Sequence, residues 1–129
     1  MTQRYYGSKL VTAWEATSSG QPGYSVKYED GYTSWSPKET FEKAYLPLGH
    51  TDSLPGWQER IVAEFVQLSD RLAKLNAYLD AQVENRTIDE ALFALLEEQG
   101  QIMAKYLDIL VLRLKIHGVT QVWSKPDPQ

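Results

Sequence analysis

From residue 57 onward the chain keeps a regular apolar pattern. Ile61, Phe65, Leu68, Leu72, Leu75 and Leu79 recur at intervals of 4, 3, 4, 3 and 4, with charged residues between them. That spacing is the heptad seam of a helix packed against a helical partner. Asn85-Arg86-Thr87 breaks the pattern. Thr87-Ile88-Asp89-Glu90 reads as a capping box, with Thr87 as cap and Glu90 at the third helical position. A second helix is predicted from Ile88 to about His117, with Gly118 as its stop. Its predicted seam is Leu92, Leu95, Gln99, Ile102 or Met103, Tyr106, Leu110 and Arg113. Leu112 to His117 also alternates with period two, as a strand does; the unbroken pattern upstream favours helix. Val119 to Trp123 reads as a short extended piece.

The first 46 residues follow a different period. Lys9 to Glu15 reads as a strand and Thr17 to Gly23 as a polar loop. Tyr24-Ser25-Val26-Lys27-Tyr28 alternates as a half-buried strand does. Asp30-Gly31 is a two-residue hairpin signal, since both residues tolerate positive φ. That turn would set Tyr28 opposite Thr33 and Val26 opposite Trp35, and would place Tyr24, Val26, Tyr28, Thr33 and Trp35 on one face. Ser36, Pro37 and Glu39 suit the cap, first and third helical positions of a short helix to about Tyr45. Phe41, Ala44 and Tyr45 would turn to the sheet.

Leu46 to Gly56 holds two Pro and two Gly, and reads as a linker. The fold class expected is therefore α+β. A small antiparallel sheet with a short helix (1–46) precedes a linker (47–56), a long antiparallel helical hairpin (57–118) and a tail (119–129). Tyr106, Leu107, Ile109, Leu110, Val111, Leu112, Leu114 and Ile116 cover almost the whole circumference of the last helix. A helix apolar all round is buried on several sides, and one neighbouring helix cannot do that. The hairpin is expected to oligomerise.

Composition narrows the chemistry. With no Cys among its 129 residues, the chain has no disulfide, thiolate nucleophile or Cys-based metal site. His50 and His117 lie in no metal-ligand spacing, so no metal or other cofactor is expected. No Gly-x-Ser-x-Gly elbow and no phosphate-binding Gly loop is present. No catalytic residue is therefore assigned, and an enzyme is not expected. The net charge of −4 argues against a nucleic-acid polymer as partner. No apolar run approaches the ~20 residues that span a bilayer.

The polar residues set into apolar patterns have two readings. Gln99 or Arg113 in a seam can fix register, and Arg stems can cover apolar surface. Alternatively they line a pocket between protomers, where Arg grips phosphate and Tyr78 or Tyr106 stacks on a base. Between Gln101 and His117, Lys105, Arg113 and Lys115 outnumber Asp108, so positive charge gathers at the end of the last helix.

A family resemblance joins these features. Gly23-Tyr24, Asp30-Gly31-Tyr32 and Ser34-Trp35-Ser36-Pro37-Lys38-Glu39, followed by Phe41 and Tyr45, resemble the N-terminal module of small phage proteins. The hairpin, with Arg60, Tyr78, Gln99, Met103, Tyr106 and Arg113, resembles that of the Thoeris anti-defence protein one and anti-CBASS protein two families. The resemblance implies a sponge in the host bacterial cytoplasm. It would hold cyclic nucleotide second messengers (cyclic ADP-ribose isomers or cyclic oligonucleotides) without cleaving them. It also implies a hexamer, a trimer of dimers, with pockets at protomer interfaces. Arg60, Tyr78, Asn85, Thr87, Gln99, Met103, Tyr106 and Arg113 are the ligand contacts so implied. Without the resemblance, an oligomeric adaptor or inhibitor of a host protein fits the same residues.

Overall fold

The computed structural model describes residues 1–119. The expected extended piece beyond Val119 lies outside the described residues. Two compact units divide the chain, Met1–Leu46 and the remainder from Pro47.

The first unit is a three-stranded antiparallel sheet in the order β1-β2-β3, with one short helix. Strands β1 (Thr12–Ser18) and β2 (Gln21–Lys27) are joined by Ser19-Gly20, both at positive φ. Ser18 therefore pairs with Gln21, and Thr17 with Pro22. The expected polar loop from Thr17 to Gly23 is thus mostly strand, and β1 begins three residues later than predicted. The Ser-Gly pair supplies the twist that a two-residue hairpin requires, and polar side chains are tolerated on an edge strand.

The next turn corrects a register. Gly31 N–H donates to the Tyr28 carbonyl at 2.9 Å, and Tyr28 N–H donates to the Tyr32 carbonyl at 2.9 Å. Gly31 sits at φ 91°, and the Asp30 carboxylate accepts from Tyr32 N–H at 3.0 Å. The loop is three residues, Glu29 to Gly31, closed by a left-handed glycine. Strand β3 (Thr33–Pro37) consequently sets Ser34 opposite Val26 and Trp35 opposite Ser25. A one-residue slip moves a side chain to the other face. Trp35 therefore leaves the Tyr24, Val26 and Tyr28 face, and Ser34 takes its expected place.

Helix α1 (Lys38–Ala44) covers that face. Phe41 stacks on Tyr24 at 4.3 Å and on Tyr45 at 4.9 Å, and Tyr24 O–H donates to Glu42 at 2.8 Å. Val26 is buried beneath, while Ala44 is exposed. Ser36 does not cap the helix: it belongs to β3, and Pro37 stands at the cap position without a side-chain bond. On the opposite face the Trp35 indole N–H donates to the Ala16 carbonyl at 2.8 Å. Its ring lies close over Gly23, where a Cβ would come within 2.5 Å of it and 2.3 Å of the Ser36 carbonyl.

In the second unit α2 (Gly56–Glu84) and α3 (Glu90–Ile116) form the antiparallel hairpin. Ile61, Val62, Phe65, Leu110 and Leu114 are its buried core. Leu68, Leu72, Leu75 and Leu79 continue the α2 seam, half-buried. Residues Leu112 to Ile116 are helical, which closes the strand alternative. Gly118, at φ 76°, ends α3, and Val119 N–H returns to the Leu114 carbonyl. Segment 47–55 packs rather than merely linking. Leu48 and Leu54 lie on the core, and buried Thr51 donates to Glu59 at 2.7 Å.

Two expectations for α3 fail. Its cap is Asp89, whose carboxylate accepts from Leu92 N–H at 2.8 Å; Thr87 is instead held by Gln82. Its packed seam keeps Met103 and Leu110 of the predicted one and is otherwise offset by one residue. Phe93, Leu96, Gly100, Met103, Leu107, Leu110 and Leu114, with Val111 beside them, are the buried or half-buried positions. Leu92, Leu95, Gln99, Ile102, Tyr106 and Arg113 are exposed. Both sets keep 3,4 spacing, so periodicity alone does not choose between them.

Candidate ligand site

Tyr106 O–H donates to the Glu64 carboxylate across the hairpin. This bond joins the exposed stripe of α3 to a polar stripe of α2. Arg60 lies one turn before Glu64, and Arg113 two turns beyond Tyr106. Because the helices run antiparallel, both arginines lie near the open end of the hairpin, away from its turn. No ion pair among the described residues engages either one. Trp57, one turn before Arg60, meets His117 edge-to-face at 4.5 Å. Trp57 is largely exposed for an aromatic residue. The open end thus offers two unpaired cations, an indole and a phenol whose orientation a carboxylate holds. Guanidinium groups bind phosphate bidentately, and aromatic faces stack on bases. Sequence reasoning missed Trp57; its place one turn from Arg60 was the available signal.

The other expected contacts stand elsewhere. Tyr78 lies 18 residues beyond Arg60 on the same helix, roughly 27 Å along its axis. Gln99 donates weakly to the Met103 sulfur at 3.8 Å, and Met103 is half-buried in the packed seam. Asn85 ends α2, its N–H donating to the Ala81 carbonyl. Thr87 is taken up by buried Gln82, whose amide oxygen accepts from Thr87 N–H at 2.7 Å and Ile88 N–H at 3.3 Å. The Gln82 amide also donates to the Thr87 hydroxyl at 2.8 Å. Within one chain, then, Arg60, Tyr106 and Arg113 share the open end, Gln99 and Met103 are neighbours on α3, and Asn85 and Thr87 lie at the turn.

No group of three or more His, Cys, Asp or Glu suited to a metal exists among the described residues. No described helix is long and apolar enough to cross a membrane.

Residues 55–116 match the Sequestin family. The match spans α2 and α3 almost end to end, including Trp57, Arg60, Tyr106 and Arg113. The hairpin is therefore sequestin-like, and the N-terminal unit lies outside the match. No curated protein and no solved structure matches the chain.

Proposed function

We propose that this protein is a sponge. It would bind a cyclic nucleotide immune signal, a cyclic ADP-ribose isomer or a cyclic oligonucleotide, and hold it uncleaved. The Sequestin match over the very hairpin that bears Arg60, Arg113, Trp57 and Tyr106 carries this reading. The family name itself speaks of sequestering. The finer assignment, a phage-encoded Thoeris anti-defence or anti-CBASS protein acting as a hexamer in the host bacterial cytoplasm, rests on the sequence resemblance. Sequestration needs affinity and no catalyst. To lower a sub-micromolar signal the site must reach about nanomolar Kd, roughly −12 kcal/mol.

The test is recovery of the ligand. Purified protein is incubated with cyclic ADP-ribose isomers and with cyclic di- and trinucleotides, then heat-denatured. A sponge returns the bound species chemically intact. ADP-ribose or linear nucleotides in the supernatant would make the protein an enzyme. Saturation at a thousandfold over Kd should stabilise the fold by about 4 kcal/mol. A flat thermal shift across all these probes would instead favour an adaptor of a host protein. Arg60→Ala and Arg113→Ala should each weaken binding by about 10- to 100-fold, the cost of a lost charge-assisted hydrogen bond.

A further inference from the structure

The sheet of the N-terminal unit has one face under α1 and one open face. Residues paired across strands share a face. Tyr24 and Val26 mark the face that α1 covers. On the other face the register sets Trp14, Ser25 and Trp35 in one row across the three strands, and Thr12, Lys27 and Thr33 in the next. Trp14 is 49% exposed, and no ring contact among the described residues engages it. The Trp35 ring lies over Gly23 and is pinned there by its bond to the Ala16 carbonyl. Two indoles, one free and one fixed, thus lie on the open face.

The rest of the face selects an occupant. Thr12, Ser25, Thr33 and Lys27 offer hydrogen-bond donors. No strand residue on this face is acidic; Glu15 pairs with Tyr24 on the α1 face. Lys27 is the one ionised side chain among the strand residues of the open face, and no ion pair among the described residues engages it. A single cation is too few for a nucleic-acid strand, whose binding grows with each phosphate neutralised. It suits one carboxylate in an otherwise uncharged segment. Apolar rings and unpaired acceptors complete the complement of such a face. A proline-rich segment has that chemistry, since proline lacks an N–H and a polyproline II backbone leaves its carbonyls free.

We propose that the open face docks a proline-rich segment of a partner protein, in polyproline II form and bearing one acidic residue. Trp14 stands one strand across and two residues along from Gly23, beneath the Trp35 ring, roughly 8 Å away by sheet spacings. A polyproline II helix repeats every three residues, or about 9 Å. Prolines one turn apart therefore reach both indoles, the mode by which aromatic-lined surfaces read such segments. Lys27 takes the carboxylate. The N-terminal unit lies outside the Sequestin match, and this site gives it a task of its own, independent of the nucleotide reading.

The test is fluorescence polarisation of a labelled proline-rich decapeptide with one Asp, titrated with the full chain. Saturation below about 1 mM is expected, and a Gly/Ser peptide of the same length and charge should not bind. Trp14→Ala should weaken binding about tenfold or more, as truncation of a central aromatic anchor does. Trp14 is exposed, so circular dichroism should be unchanged. Lys27→Glu should weaken the Asp peptide about three- to tenfold and leave an all-proline peptide within about twofold. No peptide binding at about 1 mM, equal binding of the Gly/Ser peptide, or a Trp14→Ala chain that binds as the original does would each overturn the proposal. Tighter binding of oligothymidylate or maltohexaose than of the proline peptide would overturn it in favour of a nucleic acid or a sugar. Nucleotide binding by the hairpin is scored separately, and its failure leaves this site standing.

Discussion

Gly100→Ala tests which seam of α3 packs against α2. Gly100 is buried at the crossing of the two helices. A Cβ placed there would lie 3.6 Å from a Leu75 methyl, 3.8 Å from Leu72 and 3.8 Å from the Asn76 side chain. These are ordinary van der Waals distances, so the methyl group fits without moving a neighbour. Replacing an interior helical glycine by alanine gains about 1 kcal/mol from backbone entropy and helix propensity. The new buried methyl group contributes up to about 0.8 kcal/mol more. The variant should therefore be more stable by about 1–2 kcal/mol, or several degrees in Tm for a domain of this size. The measurement is urea unfolding followed at 222 nm, at one fixed protein concentration for all variants. Gln99→Ala in the same assay should stay within about 0.5 kcal/mol, as exposed substitutions do. A destabilised Gly100→Ala would mean that the helices approach more closely than these distances allow. A large loss from Gln99→Ala instead would mean that the predicted seam is the packed one within the chain.

Gly23→Ala should be among the most damaging substitutions in the N-terminal unit. Its Cβ would strike the Ser36 carbonyl and the Trp35 ring, and overpacking costs about 1–3 kcal/mol or more; a thermal melt followed by tryptophan fluorescence will show it. Gln82→Ala should cost about 1–3 kcal/mol by loosening the hairpin turn. Gln82→Glu should lose less, because a carboxylate still accepts from Thr87 and Ile88; urea curves on both variants distinguish a latch from mere burial. The phenols of Tyr24 and Tyr45 are held above the ordinary tyrosine value, Tyr24 chiefly by its hydrogen bond to Glu42 and Tyr45 chiefly by burial. Folding thus favours their protonated forms. Their contribution to stability is complete below the ordinary phenol pKa and is lost as pH rises through the folded values. Alkaline titration of phenolate absorbance, with Tyr24→Phe as control, should show the delayed ionisation of Tyr24 disappear.

Much of this fold is legible along the chain because local rules act alone there. Tyr24 to Tyr28 announces a strand by period two. Ile61 to Leu79 announces its helix and its buried face together. Gly118 ends α3 because a left-handed residue follows the last turn. Arg60, Tyr106 and Arg113 were recognisable as cations and an aromatic within apolar segments. Trp57 was less visible, since its place one turn before Arg60 is all that marks it in its own segment. Its neighbour His117 comes from the far end of the other helix.

Tertiary structure decided the rest, wherever two local solutions were equally good. Asp30-Gly31 suits a two-residue or a three-residue hairpin. The hydrogen bonds closing Glu29 to Gly31 chose the longer loop, which sent Trp35 to the other face of the sheet. On α3, Leu92 to Arg113 and Phe93 to Leu114 repeat with the same spacing, one residue apart. Composition and period establish that the helix has two apolar faces. Which of them α2 covers depends on the angle at which the turn brings the helices together, and there Gln82 holds the backbone of Thr87 and Ile88. The sequence alone thus determines an apolar surplus on the last helix; the packed hairpin decides which side chains are left outside to carry it.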